Sequence, residues 1–246
     1  MNEETNKDND KTIIDKTCFI ITGTLTIGHV CHLSYSFRDV QSPRKIISTW
    51  DNQDPSLIEY LSKVGFIIIT SKEPDYISSN VNGNRFTQTT NRQSFQIIQA
   101  CKLAIELGFE YCVRVRTDMM STDYPQLLRT IIPSFSDTKL ISLTGMTNPE
   151  GEYYFLDCLL AGKISQITKF FDVIEPPENS RACEHFWIES YLKKTAITKE
   201  DVLSVFTFCA KELQKTNIII GWPTKCLYEV IHMYCDETFN TDIWYK

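Results

Sequence analysis

Apolar residues in this chain alternate between short unbroken runs and longer stretches interrupted at helical spacing. The run Thr17-Cys-Phe-Ile-Ile-Thr22, closed by Gly23, is continuous and short, which is the signature of a strand buried on both faces. A helix is predicted from Ile27 to Val40, a second strand from Arg44 to Trp50 ending in Asp51, a helix from Ser56 to Val64 behind Pro55, and a third strand from Gly65 to Thr70. Strand, helix, strand, helix, strand builds a parallel sheet with right-handed crossovers.

The stretch from Asp75 to Thr90 is rich in Asn, Ser, Thr and Gly and has no period, so it reads as a long loop. Asn91 follows as an N-cap, with Arg92 in the first turn of a helix whose apolar positions are Phe95, Ile98, Cys101, Leu103, Ala104, Ile105 and Leu107 before Gly108 stops it. The strand Tyr111-Cys-Val-Arg-Val115 then ends in Arg116-Thr117-Asp118. A helix from Tyr124 to Ile132 and a strand from Lys139 to Thr144 come next, with Asp123 readable either as the helix N-cap before Pro125 or as a support for Asp118. Beyond a turn at Asn148–Gly151, Tyr153–Asp157 reads as a strand delivering a carboxylate, Leu159–Gly162 as a turn, and the following residues as a helix through Phe171. Pro176-Pro177 breaks the pattern before helices over Cys183–Lys194 and Lys199–Lys215; Asn217–Gly221 and Cys226–Lys246 show no clear period. The fold class is α/β, with a mixed, mostly parallel sheet flanked by helices.

Composition narrows the function classes. A chain of 246 residues with 42% hydrophobic content can bury a large core. A net charge of −6 argues against a nucleic-acid backbone as partner, which needs a clustered excess of Lys and Arg. The nine cysteines form none of the spacings of zinc sites, and Cys18, Cys101, Cys112, Cys158 and Cys209 stand inside apolar stretches as small hydrophobes. A reducing, cytoplasmic compartment is the expectation. No apolar run approaches the roughly 18 residues of a membrane span, and Met1–Lys16 reads as a polar, flexible tail ahead of one domain over residues 17–246.

The chemistry gathers at the carboxyl ends of the predicted strands: Thr22 and Gly23, Trp50 and Asp51, Ser71 and Lys72, then Arg116 to Asp118. Ligands of open α/β sheets bind in the crevice outside those ends. Arg92 and Arg116 with Asp118 suit a small anionic ligand of the nucleotide-diphospho-sugar kind.

The runs Ile46-Ile-Ser-Thr-Trp-Asp51, Ser71-Lys-Glu-Pro74, Asn91-Arg92-Gln93 and Arg114-Val-Arg-Thr-Asp118, in that order and spacing, resemble the WavE-type lipopolysaccharide-biosynthesis family of glycosyltransferases, with weaker echoes at Asp157–Gly162 and around Glu184. The resemblance covers roughly Cys18 to Lys194. It implies a GT-A-like fold of Rossmann-like character, with residues 17–145 as the nucleotide-sugar-binding half and 146–246 as the acceptor side. Thr22, Gly23, Trp50, Asp51, Asn91, Arg92 and Arg116 would then line the donor, Trp50 and Asp51 by stacking on the base and accepting from it.

Such enzymes usually hold Mg²⁺ or Mn²⁺ with an Asp-x-Asp motif. Here Arg116 takes the first position, so Asp118 either binds the ion with help from the diphosphate or shares the task with the positive charge of Arg116. Asp157 and Glu184 are the acceptor-side carboxylates, and His185 and His232 are possible late ligands. The partners implied are a nucleotide-diphospho-sugar, with UDP-sugar the expected donor, and a glycan or glycoconjugate acceptor, at a cytoplasmic glycan-assembly site that can be peripheral to a membrane. Two other classes stay open. A sugar-nucleotide nucleotidyltransferase would carry a basic Gly-rich loop after its first strand, and Thr22–Gly28 has no basic residue. A non-catalytic carbohydrate- or nucleotide-binding protein would tolerate the broken Asp-x-Asp.

Overall fold

The computed structural model describes residues 10–73, 85–143, 145–147, 153–155, 157, 159–172, 183–198, 202–216, 218 and 220–221. Residues 10–15 are helical (α1) and lead directly into β1, Thr17–Thr22. Then follow α2 (Ile27–Ser36), β2 (Lys45–Trp50), α3 (Pro55–Lys63), β3 (Ile67–Ser71), α4 (Arg85–Glu106) and β4 (Tyr111–Arg116). The second half comprises β5 (Met120–Ser121), α5 (Tyr124–Ile131), β6 (Leu140–Ser142), β7 (Gly145–Thr147), β8 (Tyr153–Phe155), β9 (Leu159–Lys163), α6 (Ile164–Phe171), α7 (Cys183–Thr195), α8 (Val202–Val205), β10 (Phe206–Phe208), α9 (Ala210–Gln214) and β11 (Ile220–Gly221).

Seven strands form one sheet in the order β10-β6-β9-β4-β1-β2-β3. All neighbours pair in parallel except β9, which runs antiparallel between β4 and β6. Strands from both predicted halves therefore share a single sheet. The chain steps outward from β1 through β2 to β3 and then returns to the other side of β1 to lay down β4, so the strand order reverses between β1 and β4. That reversal leaves a crevice at the carboxyl edge of the sheet.

Period-two alternation sends the side chains of β1 to two cores. Phe19 and Ile21 join Val113 and Val115 under α2, α3 and α5, where Phe37 stacks on Tyr124 at 4.0 Å and meets Phe19 edge-on at 5.3 Å. Cys18 and Ile20 join Ile46 and Cys112 under α4, α6 and α7. The second core is anchored by Trp187, fully buried, whose indole N–H donates to Ser94 Oγ at 2.9 Å while its ring packs edge-on against Phe171 at 4.9 Å. Ser94→Ala will strand that buried N–H and lower stability by about 1–3 kcal/mol in chemical denaturation, with the sheet intact by circular dichroism.

Helix starts follow the capping chemistry of the sequence. Thr26 Oγ1 accepts from His29 N–H at 3.2 Å, Asp54 Oδ1 from Ser56 N–H at 2.8 Å ahead of Pro55, and Asp123 Oδ1 from Gln126 N–H at 2.7 Å. Of the two readings of Asp123, the N-cap is the one seen. At the opposite edge of the sheet from the crevice, buried Lys45 donates to Val64 O at 2.9 Å and to Phe37 O at 3.5 Å, closing the carboxyl ends of α3 and α2 together. Burial holds its ammonium below the ordinary lysine value.

Four expectations need correction. The helix placed after an Asn91 cap begins at Arg85, so Asn91 and Arg92 lie inside it; the polar stretch before Phe95 shows no apolar period, yet it extends a helix already nucleated downstream, where each added residue gains a hydrogen bond. Leu159–Gly162, read as a turn, belongs to a buried strand, and a run that short cannot be assigned by periodicity alone. The helix drawn over Lys199–Lys215 is divided by β10, whose Phe206 and Phe208 alternate about Thr207. The polar tail ends earlier than Lys16, because residues 10–15 are helical and Ile13 and Ile14 pack against the first core. Residues 1–9 and 74–84, the latter including most of the loop predicted over Asp75–Thr90, the turn at 148–151, Cys158, the Pro176-Pro177 break and residues 222–246 with His232 lie outside the described residues; residues 85–90 of that loop are helical.

Candidate functional site

The crevice is shaped first by the backbone at the end of β1. Gly23 has φ +141°, and a Cβ there would lie 2.3 Å from Thr117 Oγ1, so the close approach of the β1 and β4 ends requires glycine. Thr117 N–H donates to Thr22 O at 3.0 Å, Thr49 Oγ1–H donates to Gly23 O at 2.8 Å, and Leu25 N–H donates to Gln53 Oε1 at 2.7 Å. The loop from Gly23 to Thr26 is thereby tied to β2 and β4 rather than left free.

Onto this frame β4 delivers two guanidinium groups at positions 114 and 116, on the same face of the strand. Arg114 is fully buried, and a charge with no access to water survives only when paired and hydrogen-bonded. Its Nη1 donates to the backbone carbonyl of Asp157 and lies 3.7 Å from Asp157 Oδ2. Its Nη2 donates to Gln93 Oε1 at 2.9 Å and reaches Thr22 Oγ1 at 3.4 Å, and its plane stands 5.6 Å from the centre of the Phe171 ring.

Arg116, one-third exposed, reaches the crevice. It grips Asp118 through two parallel bonds, Nε to Oδ1 at 2.9 Å and Nη2 to Oδ2 at 2.8 Å, and its Nη1 donates to both oxygens of Asp157 at 3.3 and 3.2 Å. Fork-on-fork geometry of this kind is strong and orienting. Burial opposes the Arg116 charge, but Asp157 and Asp118 hold it above its ordinary value. Burial would raise the Asp118 carboxyl; the Arg116 fork and, further off, His29 outweigh that and hold it below the ordinary range.

Two histidines of α2 face the other side of this turn. Their rings meet edge-on at 5.8 Å, and α2 packs on β5, just after Asp118. His29 Nδ1 lies 3.0 Å from Thr24 O, an acceptor toward which a protonated Nδ1 donates. His32 is buried, and among the described residues neither ring nitrogen makes a well-formed hydrogen bond. Burial, then the neighbouring His29, push it down to about 4, against a smaller upward pull from the Thr117 backbone and Asp118. The folded state therefore refuses a proton that the unfolded chain accepts below about 6.5, so stability is lost as pH falls from about 6.5 to about 4. The expected loss is on the order of 2–3 kcal/mol across that window, read from urea unfolding at pH 7 and pH 4.5, and His32→Leu will flatten it. The depressed Asp118 acts below that window, where its own protonation costs further stability.

Of the residues the sequence singled out, Thr22, Gly23, Arg116, Asp118 and Asp157 come together. Asp51 is exposed at the end of β2, where its N–H donates to Ser71 O at 3.0 Å. Trp50 is 5% exposed and stacks on Phe95 at 6.2 Å, so its ring faces the core and not a base. Arg92 leaves α4 toward Glu73, at 2.5 Å, in a half-exposed ion pair beside the end of β3; Asn91 is exposed one position earlier. Glu184 stands in the first turn of α7, which packs on α6, β8 and α4. The side chain of His185 lies outside the described residues.

The sequence reading missed Arg114 and Gln93 as site residues. The signal for Arg114 was present: an arginine in the middle of a strand buried on both faces must have an internal partner. Gln93 carries no such mark.

A divalent ion at Asp118 finds a poor donor set. Both carboxylate oxygens already accept from Arg116, whose fixed charge opposes a dication at the same atoms, and among the described residues no three His, Cys, Asp or Glu side chains converge.

Fold and site together define an α/β protein with a charged, hydrogen-bonded cluster at the carboxyl edge where its strand order reverses. No family model matches the chain, and no curated protein does. Among solved structures, a candidate glucose-1-phosphate thymidylyltransferase from Bacillus anthracis, in complex with a sucrose, is similar at 11% identity and a TM-score of 0.47, over 91% of this chain and 97% of that one. A likeness at that level bears on neither the fold nor the activity. No helix among the described residues is long and apolar enough to cross a membrane.

Proposed function

We propose that this chain is a glycosyltransferase that moves a sugar from a nucleotide-diphospho-sugar, a UDP-sugar in the first instance, to a glycan or glycoconjugate acceptor. The observation that carries the reading is the cluster Arg114, Asp157, Arg116 and Asp118, which surfaces at the β1–β4 switch point. That is the place in such a sheet where a diphosphate is bound, and Arg114, Arg116 and Asp118 belong to one of the runs that carry the resemblance to WavE-type transferases, with Asp157 in one of its weaker echoes.

The chemistry asks for fixed donors where negative charge grows on the departing diphosphate. Arg116 is such a donor: it is one-third exposed, and its orientation is set by Asp157, itself oriented by Arg114. Asp157 changes role. With its oxygens taken by two guanidiniums and its side chain 6% exposed, it is not presented to an acceptor hydroxyl, and it serves as a positioning residue. Glu184 remains the acceptor-side carboxylate of this reading. A base must come within hydrogen-bond reach of the hydroxyl it deprotonates, so Glu184→Gln is expected to suppress transfer while leaving donor binding intact.

Thermal-shift measurements with UDP, GDP, CMP and TDP, each with EDTA and with Mn²⁺, should single out one nucleotide, since a ligand of the native state alone raises its melting temperature. Release of that nucleotide from its sugar conjugates, dependent on an added acceptor, is the activity expected. A protein that binds none of them and releases none would be a carbohydrate-binding or scaffold protein instead.

A further inference from the structure

The four charges of the cluster sum to zero: Arg114 and Arg116 against Asp157 and Asp118. A diphosphate arriving there meets no surplus of positive charge. The two carboxylates differ in kind, however. Asp157 is buried and shared between both arginines, whereas Asp118 is one-third exposed and, among the described residues, pairs with Arg116 through the two-pronged contact at 2.9 and 2.8 Å. Planar bidentate pairing with a guanidinium is the geometry that phosphate and carboxylate have in common.

We propose that Asp118 is a place-holder: in the free protein it fills the outward fork of Arg116 that a phosphate of the bound ligand takes in the complex, and binding proceeds by exchange of one anion for the other. The inference rests on the reading of the site as a diphosphate site, but it concerns Asp118 alone. It opposes the role that the resemblance assigns to this residue, in which Asp118 holds a cation and strengthens binding.

The exchange has a structural rationale. Buried Asp157 keeps Arg116 aimed at the crevice in either state, so the fork stays preorganised while its outer partner changes. A paired arginine in the free protein avoids leaving a partly buried guanidinium without an acceptor, and it sets a threshold that a singly charged anion does not pass easily.

Isothermal titration with UDP and, separately, with inorganic pyrophosphate tests this on the full chain, in EDTA and in Mn²⁺, for the wild type, Asp118→Asn and Asp118→Ala. Two variants guard against a folding defect in either, and melting curves identify one. The expected result is tighter binding of both anions to both variants in EDTA, by about tenfold, with a steeper dependence on salt because the charge of Arg116 is no longer offset. Weaker or unchanged binding in the variants overturns the proposal, and loss confined to Mn²⁺ would assign Asp118 to a cation. Pyrophosphate separates the two readings: if it binds more tightly to the variants while no nucleotide binds at all, the place-holder stands and the nucleotide-sugar reading falls. If nucleotides bind and the variants weaken them, the reverse holds. Binding of neither anion to any form ends both.

Discussion

Asp157→Ala will lower the unfolding free energy by about 3–5 kcal/mol, the range found when one partner of a buried ion pair is removed. The residue loses little apolar area, so the cost comes from what it leaves behind. Arg114 is fully buried, and of its described hydrogen-bond acceptors the Asp157 backbone carbonyl, Gln93 and, at 3.4 Å, Thr22 Oγ1 would remain, none of which is an anion. For a chain of this size each kcal/mol is worth about 2–4 °C, so the melting temperature should fall by roughly 10 °C or more. The double variant Asp157→Ala with Arg114→Met should recover much of the loss, because the desolvated guanidinium leaves together with its carboxylate. A loss below about 1 kcal/mol in the single variant, by chemical denaturation, would mean that the pair is not buried as described.

Gly23→Ala is expected to cost about 2–5 kcal/mol and to damage ligand binding out of proportion to its size. Two physical terms add. The residue's φ of +141° is one that a side chain rarely adopts, and its new Cβ would stand 2.3 Å from Oγ1 of Thr117, a buried residue with little room to move. Thr117→Ala removes the second term and leaves the first, so the double variant should regain part of the stability but not all of it. A double variant as unstable as the single one would show that the clash is not with Thr117. Because Thr117 lies between Arg116 and Asp118, any shift there is passed to the fork itself.

The first half of the fold was legible because its strands are unambiguous. Thr17–Thr22 is an unbroken apolar or β-branched run and Lys45–Trp50 is rich in such residues, and both proved buried along their whole length. Polar residues followed each run and marked the carboxyl edge, where Arg116 and Asp118 pair, whereas Arg92, expected beside them, pairs with Glu73 at the end of β3. The second half resisted for a physical reason: Leu159–Lys163 is an antiparallel strand inserted between two parallel neighbours, and nothing in five residues of sequence encodes direction. Phe206–Phe208 is an edge strand within a helical composition, where pairing with β6 decides the outcome.

The site was legible in location but not in connectivity. Asp157 was legible only as an acceptor-side carboxylate, because its partners, Arg114 and Arg116, lie 43 and 41 residues away in sequence. Only the register of β4 against β9, with Arg114 opposite Leu160, brings the carboxylate before β9 back to the arginines of β4. Trp50 drew attention by its place at a strand end, yet an indole there packs as readily inward, here onto Phe95.

The central claim is that the crevice at the β1–β4 edge receives the diphosphate of a nucleotide sugar. A crystal structure of the protein grown with the nucleotide that stabilises it most tests this directly. Phosphate oxygens are expected within hydrogen-bonding distance of Arg116, beside Gly23, with Asp157 still bound to both arginines and Asp118 turned away from the fork. A nucleotide seated elsewhere, or one in the crevice with the Arg116–Asp118 pair unchanged and its phosphates held by other groups, would contradict it.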